Sequence, residues 1–376
     1  MLTTTGADRD SDGYELVVDD VTQSMRADDT ALFARVKPGS HLVRLDGIAG
    51  NCAPDNASGL PLLLVPGGST ERHISIECVG SSIPGALAGG QLLFTRGGQI
   101  FSATIGGTVA PAALTSGEEP TWSPDGRRIA FLRDGAVYVM DADGTNQRLI
   151  ATGPPAFSWP SGPNNGFAIP EIDLGRHAVA WSPDGSRLAM FAAGGIEIVP
   201  VDSTGPAVSL ASEYGELAGS PTWSPDGKQV AFVYNSGEET WVDELDVYVG
   251  DVSGSGLSHV RKLTGDSYSV MYLQPAWSPD GTRIAMIACQ PTEDQWLSLP
   301  CAGATLIVMN ADGSRLRPLA AARGYSKPAW APDGQTIAYA NSCADDNCQS
   351  AVLYVSADGA QKGVLIDGAR SPSWRK

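Results

Sequence analysis

The sequence predicts an all-β protein: a six-bladed β-propeller closed by its C-terminal strand and preceded by a small β-sandwich domain. Three observations carry that prediction. The 376-residue chain holds 44 glycines and 26 prolines beside 42% apolar residues, which implies many turns and few long helices around a sizeable core. The stretch TWSPDGRRIAF at residues 121–131 returns as AWSPDGSRLAM, TWSPDGKQVAF, AWSPDGTRIAM and AWAPDGQTIAY. Tryptophans mark the same point of a recurring unit at Trp122, Trp181, Trp223, Trp277, Trp330 and Trp374.

The elements follow in chain order. Ahead of the repeats, YELVVDD, TALFARV, HLVRLDGI, LPLLLVP and RHISIECV read as short strands separated by turn residues, enough for a small sandwich over residues 1–80. The Gly- and Ser-rich, charge-poor GSSIPGALAGG places a linker at 81–90, too short to let the flanking domains roam independently. The propeller is assigned to residues 91–376.

Within each repeat, Ser, Pro, Asp and Gly suit the four successive positions of a type I turn, because Pro presets the backbone at the second and Gly relieves crowding at the fourth. Runs such as RIAF, RLAM and QVAF then read as strands covered on both faces. A further strand such as AVYVMDADG or TLIVMNADG turns on Asp-Gly into a last one, QRLIATG or LRPLAAA. With the Trp strand this makes four strands per unit. Such a unit cannot bury both faces alone, so copies stack around an axis. The start of the array, GQLLFTRGGQIFSATIGG, lacks a preceding Trp strand, whereas SPSWRK at the end supplies one with nothing after it. Joining them closes a ring of six. The Trp side chains are expected between adjacent blades, a ligand cage being the competing reading.

The pattern P-x-W-S-P-D-G-x-x-I-A-F followed by L-Y-V-M-x-A-D-G resembles the TolB-type, or PD40, WD40-like propeller repeat from Leu92 to Lys376. That resemblance implies an envelope or secreted bacterial context and binding of protein partners, and carries no reaction. The chain departs from the pattern at Ala331 in place of Ser, in the truncated last copy, and in having no helical N-terminal domain like that of TolB proteins. KPGSHLVRLDGIAGNC in the first domain is similar to PEGA-type or carboxypeptidase-regulatory-like domains.

A formal net charge of −17 opposes a phosphate backbone, so nucleic acid is not an expected partner. No stretch approaches the roughly 20 apolar residues of a membrane-spanning helix. The opening MLTTTGADRD has neither a basic start nor an apolar stretch and reads as the beginning of a mature or trimmed chain. Six cysteines allow many connectivities. Sequence proximity pairs Cys52 with Cys78, Cys289 with Cys301, and Cys343 with Cys348, each bracketing a loop or the small sandwich. Reduced thiols or a metal site compete with that reading. The absence of C-x-x-C spacing and of His near the last four disfavours zinc, so an oxidising compartment is expected: periplasm, cell surface or medium.

Asp8, Asp10 and Asp12 before Gly13 open a D-x-D-x-D-G calcium pattern, with Asp19 at the twelfth position. The last ligand being Asp, and a strand following, favour a solvated acidic turn. No other cofactor is implied. G-x-S-x-G does not occur, and His41, His73, His177 and His259 are scattered, so acyl hydrolysis and multi-histidine metal chemistry have no motif behind them. Asn56 in NAS fits a glycosylation acceptor formally.

Propeller loops divide between two faces. Every SPDG and ADG turn falls on one, and the long insertions collect on the other. Those insertions hold Phe157, Trp159, Phe167, Tyr214, Trp241, Tyr268, Tyr272, Trp296 and Tyr325 among Glu238, Glu239, Asp243, Glu244, Glu293 and Asp294. Rings supply buried area while carboxylates choose the partner, which is the chemistry of a recognition surface; the bland alternative is rings pinning loops to the propeller. The expectation is an exported, monomeric, non-enzymatic protein that binds a protein, peptide or glycan, preferably a basic one, on this face. The alternatives are a propeller enzyme such as a polysaccharide lyase acting at the central channel, and a scaffold anchored through the sandwich.

Overall fold

In the computed structural model the described residues are 2–6, 14–19, 21–26, 28–34, 36–46, 52–54, 60–64, 69–70, 74–78, 87–152, 179–192, 195–202, 207–209, 218–235, 245–253, 256–265, 270–289, 304–324, 327–341 and 350–375. Among them every regular element is a strand. The N-terminal unit comprises β1 (Leu2–Gly6), β2 (Tyr14–Val18), β3 (Val21–Met25), β4 (Gly39–Asp46), β5 (Cys52–Pro54), β6 (Leu60–Leu64) and β7 (Ile74–Cys78). They form two sheets, ordered β1-β7-β5 and β3-β2-β4-β6. Tyr14, Val18, Met25, Val43 and Leu45 of the larger sheet share one buried cluster with Cys52, Ile74 and Ile76 of the smaller. The core therefore lies between two sheets, as in a sandwich. Cys52 is disulfide-bonded and stands opposite Cys78 in the antiparallel register, where Cα atoms come within the roughly 4.4–6.8 Å that a disulfide spans.

One strand expectation here is corrected. Residues 30–34 of TALFARV form no strand; β3 is drawn instead from VTQSM, which pairs back on β2. Asp19, with φ 53, supplies the left-handed residue that this tight reversal needs. Ala31 and Phe33 still pack on the core, but from irregular chain.

Six four-stranded sheets follow. Blade 1 receives β8 (Gln91–Arg96), β9 (Gln99–Thr104) and β10 (Ala112–Ser116). Blade 2 is β11 (Glu118–Trp122), β12 (Arg128–Arg133), β13 (Ala136–Asp141) and β14 (Arg148–Thr152). Blade 3 is β15 (Ala180–Trp181), β16 (Arg187–Ala192), β17 (Gly195–Pro200) and β18 (Val208–Ser209). Blade 4 is β19 (Ala218–Trp223), β20 (Gln229–Asn235), β21 (Leu245–Ser253) and β22 (Gly256–Lys262). Blade 5 is β23 (Met271–Trp277), β24 (Arg283–Cys289), β25 (Ala304–Asn310) and β26 (Arg317–Ala322). Blade 6 is β27 (Ala329–Trp330), β28 (Thr336–Asn341), β29 (Ala351–Ser356) and β30 (Lys362–Asp367). The last strand, β31 (Arg370–Trp374), completes blade 1, whose order is β10-β9-β8-β31.

That closure is the one expected from the out-of-phase ends. Trp374 pairs with Leu92 and Ser373 with Leu93. The fit requires a glycine at position 90, where a Cβ would meet Cζ3 of Trp374 at 2.9 Å. Leu87, ahead of β8, is buried in the same cluster as Trp374, so the propeller packing begins within the segment read as linker.

The second strands explain their apolar runs. Ile129, Ala130 and Phe131 in blade 2, and Val230, Ala231 and Phe232 in blade 4, are each 0% exposed because neighbouring blades cover both sheet faces. Each large side chain so buried contributes about 1.5–3 kcal/mol.

Candidate functional site

The innermost strand of each blade lines an axial channel, and in five of the six it carries an x-Pro-x-Trp frame whose first position is polar and whose third is small; blade 3 has Val179 in place of the proline. Glu119-Pro120-Thr121-Trp122 recurs as Ser220-Pro221-Thr222-Trp223, Gln274-Pro275-Ala276-Trp277, Lys327-Pro328-Ala329-Trp330 and Ser371-Pro372-Ser373-Trp374. Proline has no N–H to give a ladder, which confines it to a sheet edge or bulge, and the channel-facing strand is such an edge. The register slips just there: between Glu118 and Thr121, Gly219 and Thr222, Leu273 and Ala276, and Arg370 and Ser373. Glu119, Ser220, Gln274 and Ser371 all take positive φ, 48°, 51°, 55° and 50°. A non-glycine residue in that region is strained by about 1–3 kcal/mol. The strain recurs in four blades, and in blades 1 and 2 it sets Ser371 and Glu119 on the channel wall.

The channel encloses a cavity of about 180 Å³ whose wall includes Pro124, Pro183, Pro225 and Pro279 of the SPDG turns. All six repeat tryptophans line it. Farther in, Ser371 donates to Glu119 Oε1 at 2.7 Å. Lys327, from blade 6, crosses the lumen and donates from Nζ to the Pro221 carbonyl of blade 4 at 3.2 Å. The lysine keeps part of its surface open to the channel, yet the walls desolvate its amine and push it down to about 8, with the Glu119 carboxylate pulling the other way.

The tryptophans themselves pack between blades. Arg128 of blade 2 lies over the Trp181 ring of blade 3 at 5.1 Å and donates to the Gly185 carbonyl at 2.8 Å. Arg187 covers Trp223 at 5.1 Å, Arg283 covers Trp330 at 4.8 Å, and Arg375 covers Trp122 at 5.1 Å, so one blade's cation clasps the next blade's indole.

The turn face is internally satisfied. Ser123, Ser182, Ser224 and Ser278 donate to Asp125, Asp184, Asp226 and Asp280 at 2.5–2.6 Å. Each aspartate also accepts a backbone N–H two residues on, at 3.0–3.1 Å. The serine hydrogen bond is the main cause holding Asp184 and Asp280 down at about 2. In the fifth copy Ala331 replaces the serine, and Asp333 accepts the backbone N–H groups of Gln335 and Thr336 instead.

On the opposite face, where the long insertions arise, a cleft of about 730 Å³ lies over blades 1 and 6. The short Gly97–Gly98 and Asp367–Gly368 turns leave it open, and Arg96, Arg370 and Glu118 line it. Arg96 donates to the Asp367 carbonyl at 2.5 Å and Arg370 to Ser350 Oγ at 3.2 Å. Across the same face, Asp246 is 3% exposed and holds Lys262 at 2.7 Å and the Thr264 hydroxyl at 2.5 Å. This buried group sits at the roots of segments 236–244 and 266–269. The sandwich also touches this face: Arg323, just past β26, donates to the Cys52 carbonyl at 2.7 Å.

Of the residues read as a recognition surface, Tyr272 is the one described, and its assignment to a loop is corrected. It lies in β23, 8% exposed, in the blade 4–5 core, because its strand starts before the predicted insertion ends. Burial and the charge of Asp246 push its hydroxyl upward. Phe157, Trp159, Phe167, Tyr214, Glu238, Glu239, Trp241, Asp243, Glu244, Tyr268, Trp296 and Tyr325 lie outside the described residues, as do Asp8, Asp10, Asp12, Cys301, Cys343 and Cys348. Asp19 is described, and its carboxylate meets His41 Nδ1 at 2.6 Å. Cys289 is disulfide-bonded. Sequence reading passed over Lys327 and Glu119. The signal was the polar position that changes before the Pro-x-Trp shared by five of the six Trp strands.

Fold and channel together define a six-bladed propeller latched by tryptophans, with its ring closed by the C-terminal strand. Residues 167–376 match the model of the TolB beta propeller domain, more than half of the sequence, and the chain belongs to that family. Residues 109–203 also match the dipeptidyl peptidase IV N-terminal region. An uncharacterized peptidase of Bacillus subtilis (strain 168), YuxL, is 30% identical over 122 residues, 31% of this chain; the match spans 16% of that protein's length. The crystal structure of TolB from Acinetobacter baumannii superposes with a TM-score of 0.57 at 20% identity, covering 78% of this chain and 68% of that one. A chain of the nidogen/laminin complex superposes with a TM-score of 0.51 at 10% identity, covering 77% and 99%. At these identities the likeness is one of fold.

Proposed function

We propose that the protein is an exported binding module that recognises a protein or peptide on the face opposite its SPDG turns. The observation behind this reading is the 730 Å³ cleft on that face, lined by two arginines, Glu118 and the exposed Gly97–Gly98 turn. Charged groups of both signs beside an open glycine turn suit an extended peptide, which needs backbone partners as well as charges. The turn face has its polar groups already engaged with one another, whereas this face carries every long insertion. Family membership supports a partner-binding role and an envelope or secreted location. A glycan is the less favoured ligand, because the cleft is walled by charges and not by exposed rings. The sandwich, whose sequence is similar to PEGA-type domains, is read as the anchoring module. The pairings Cys52–Cys78, Cys289–Cys301 and Cys343–Cys348 belong to the same proposal.

The test compares three forms for capture of partners from a cell-envelope extract: the intact chain, one with 157–167 and 238–244 shortened, and Arg96→Glu/Arg370→Glu. Loss of one band in both altered forms supports the reading; equal capture by all three overturns it.

A second reading rests on the match of residues 109–203 to a peptidase-associated region and on the likeness to YuxL. In it the propeller screens peptides for a catalytic domain. Peptide cleavage that co-purifies with the protein and is lost with the cleft variants would favour it. A lyase acting at the channel would have to use Lys327 and Glu119, the two titratable side chains among the described lining residues.

A further inference from the structure

We propose that the axial channel is a carboxylate-binding site, with the Lys327 ammonium as its anchor and the tryptophan ring as its wall. The site reaches the SPDG turns and shares no lining residue with the cleft proposed above as the partner surface.

Three observations converge on it. Lys327 reaches from blade 6 across the lumen to the Pro221 carbonyl of blade 4, so its Nζ stands in the channel and not against its own blade. An ammonium has three N–H donors. That carbonyl takes one, which leaves two for a ligand in a space where unmade hydrogen bonds are costly. Glu119 is near enough to act on the ammonium through its charge, and its Oε1 accepts from the Ser371 hydroxyl at 2.7 Å. A ligand carboxylate brings two oxygens and a negative charge to those donors, and charge-assisted bonds of this type are the strong ones.

The rest of the ligand is set by the walls. The cavity of about 180 Å³ has a wall of mixed polarity, in which indole and proline side chains alternate with Thr121, Thr222, Ser278 and Ser373. A dry apolar cavity of about 150 Å³ admits benzene. The class is therefore a small acid with a flat or short apolar body, or the C-terminus of a peptide presenting one.

The experiment titrates the intact protein with benzoate and with an N-acetylated tripeptide ending in a free phenylalanine carboxylate, following the intrinsic tryptophan fluorescence and the heat of binding. Benzamide and the amidated tripeptide are the paired controls. Acid without amide binding supports the site, and which acid binds separates a free metabolite from a chain terminus. Lys327→Gln is expected to weaken binding at least about tenfold, the scale of one charge-assisted hydrogen bond. Raising the pH through about 8 should weaken it as the amine loses its proton, in Glu119→Gln as in the intact chain, since Glu119 is the other titratable lining group. Equal binding of acid and amide, no binding of either acid, or an unchanged Lys327→Gln overturns the proposal. Should Lys327→Gln fail to fold, the acid-to-amide ratio and the pH dependence of the intact protein decide.

Discussion

Trp181 and Trp223 form a matched pair that isolates one hydrogen bond. Each is buried, at 7% and 5% exposure, and each lies 5.1 Å beneath the arginine of the preceding blade. They differ at the indole nitrogen. Trp181 Nε1 donates to the Thr121 carbonyl at 3.1 Å, whereas Trp223 Nε1 is buried with no acceptor. Replacing either by phenylalanine removes the same atoms and leaves a similar gap, so the packing loss is common to both. Trp181→Phe also loses a hydrogen bond worth about 0.5–1.5 kcal/mol net, while Trp223→Phe sheds an unsatisfied donor that costs about 1–3 kcal/mol. Trp181→Phe should therefore be the less stable variant by about 2 kcal/mol. Urea unfolding followed by tryptophan fluorescence measures this, provided the two variants share one slope against denaturant. Equal midpoints, or Trp223→Phe as the weaker, would refute the claim that the indole N–H separates these two blade contacts.

Acid stability should depend on the SPDG turns. Asp184 and Asp280 are held at about 2, below their unfolded value of 3.8, so their contribution is complete above that value and is lost as pH falls toward 2. Ser278→Ala removes the largest cause for Asp280, and the drop in urea midpoint between about pH 4 and 2 should shrink; an unchanged drop counts against the turn as its source. Arg323→Ala should speed proteolysis between residues 78 and 87 while leaving the propeller's unfolding midpoint in place, because the guanidinium bonds the sandwich at the Cys52 carbonyl. Reduction should destabilise the sandwich by about 3 kcal/mol through the Cys52 disulfide, and amide exchange in β5 and β7 is the readout. Arg283→Met should cost about 2 kcal/mol by losing its place over Trp330 and its bond to the Gly334 carbonyl, measured by the same urea assay.

The sequence by itself determined the ring. A turn of Ser-Pro-Asp-Gly is encoded by four adjacent residues, an apolar run of strand length announces two covered faces, and a Trp strand missing at one end and surplus at the other dictates closure. These are local or periodic signals, and Trp374 against Leu92 follows from them. The strands ahead of the repeats were partly legible for the same reason: HLVRLDGI overlaps β4 and RHISIECV contains β7, whereas VTQSM has too few apolar residues to announce β3. Only the tertiary structure decided what the ring encloses. Lys327, Glu119 and Ser371 are far apart along the chain, or meet only because blades 6, 1 and 2 are neighbours around an axis. The placement of Glu119 and Ser371 depends on a repeated bulge at positive φ, which no propensity of Glu, Ser or Gln foretells. The arginine of one blade finds the indole of the next for the same reason: the rotation between blades, and not the spacing in sequence, sets which side chains touch.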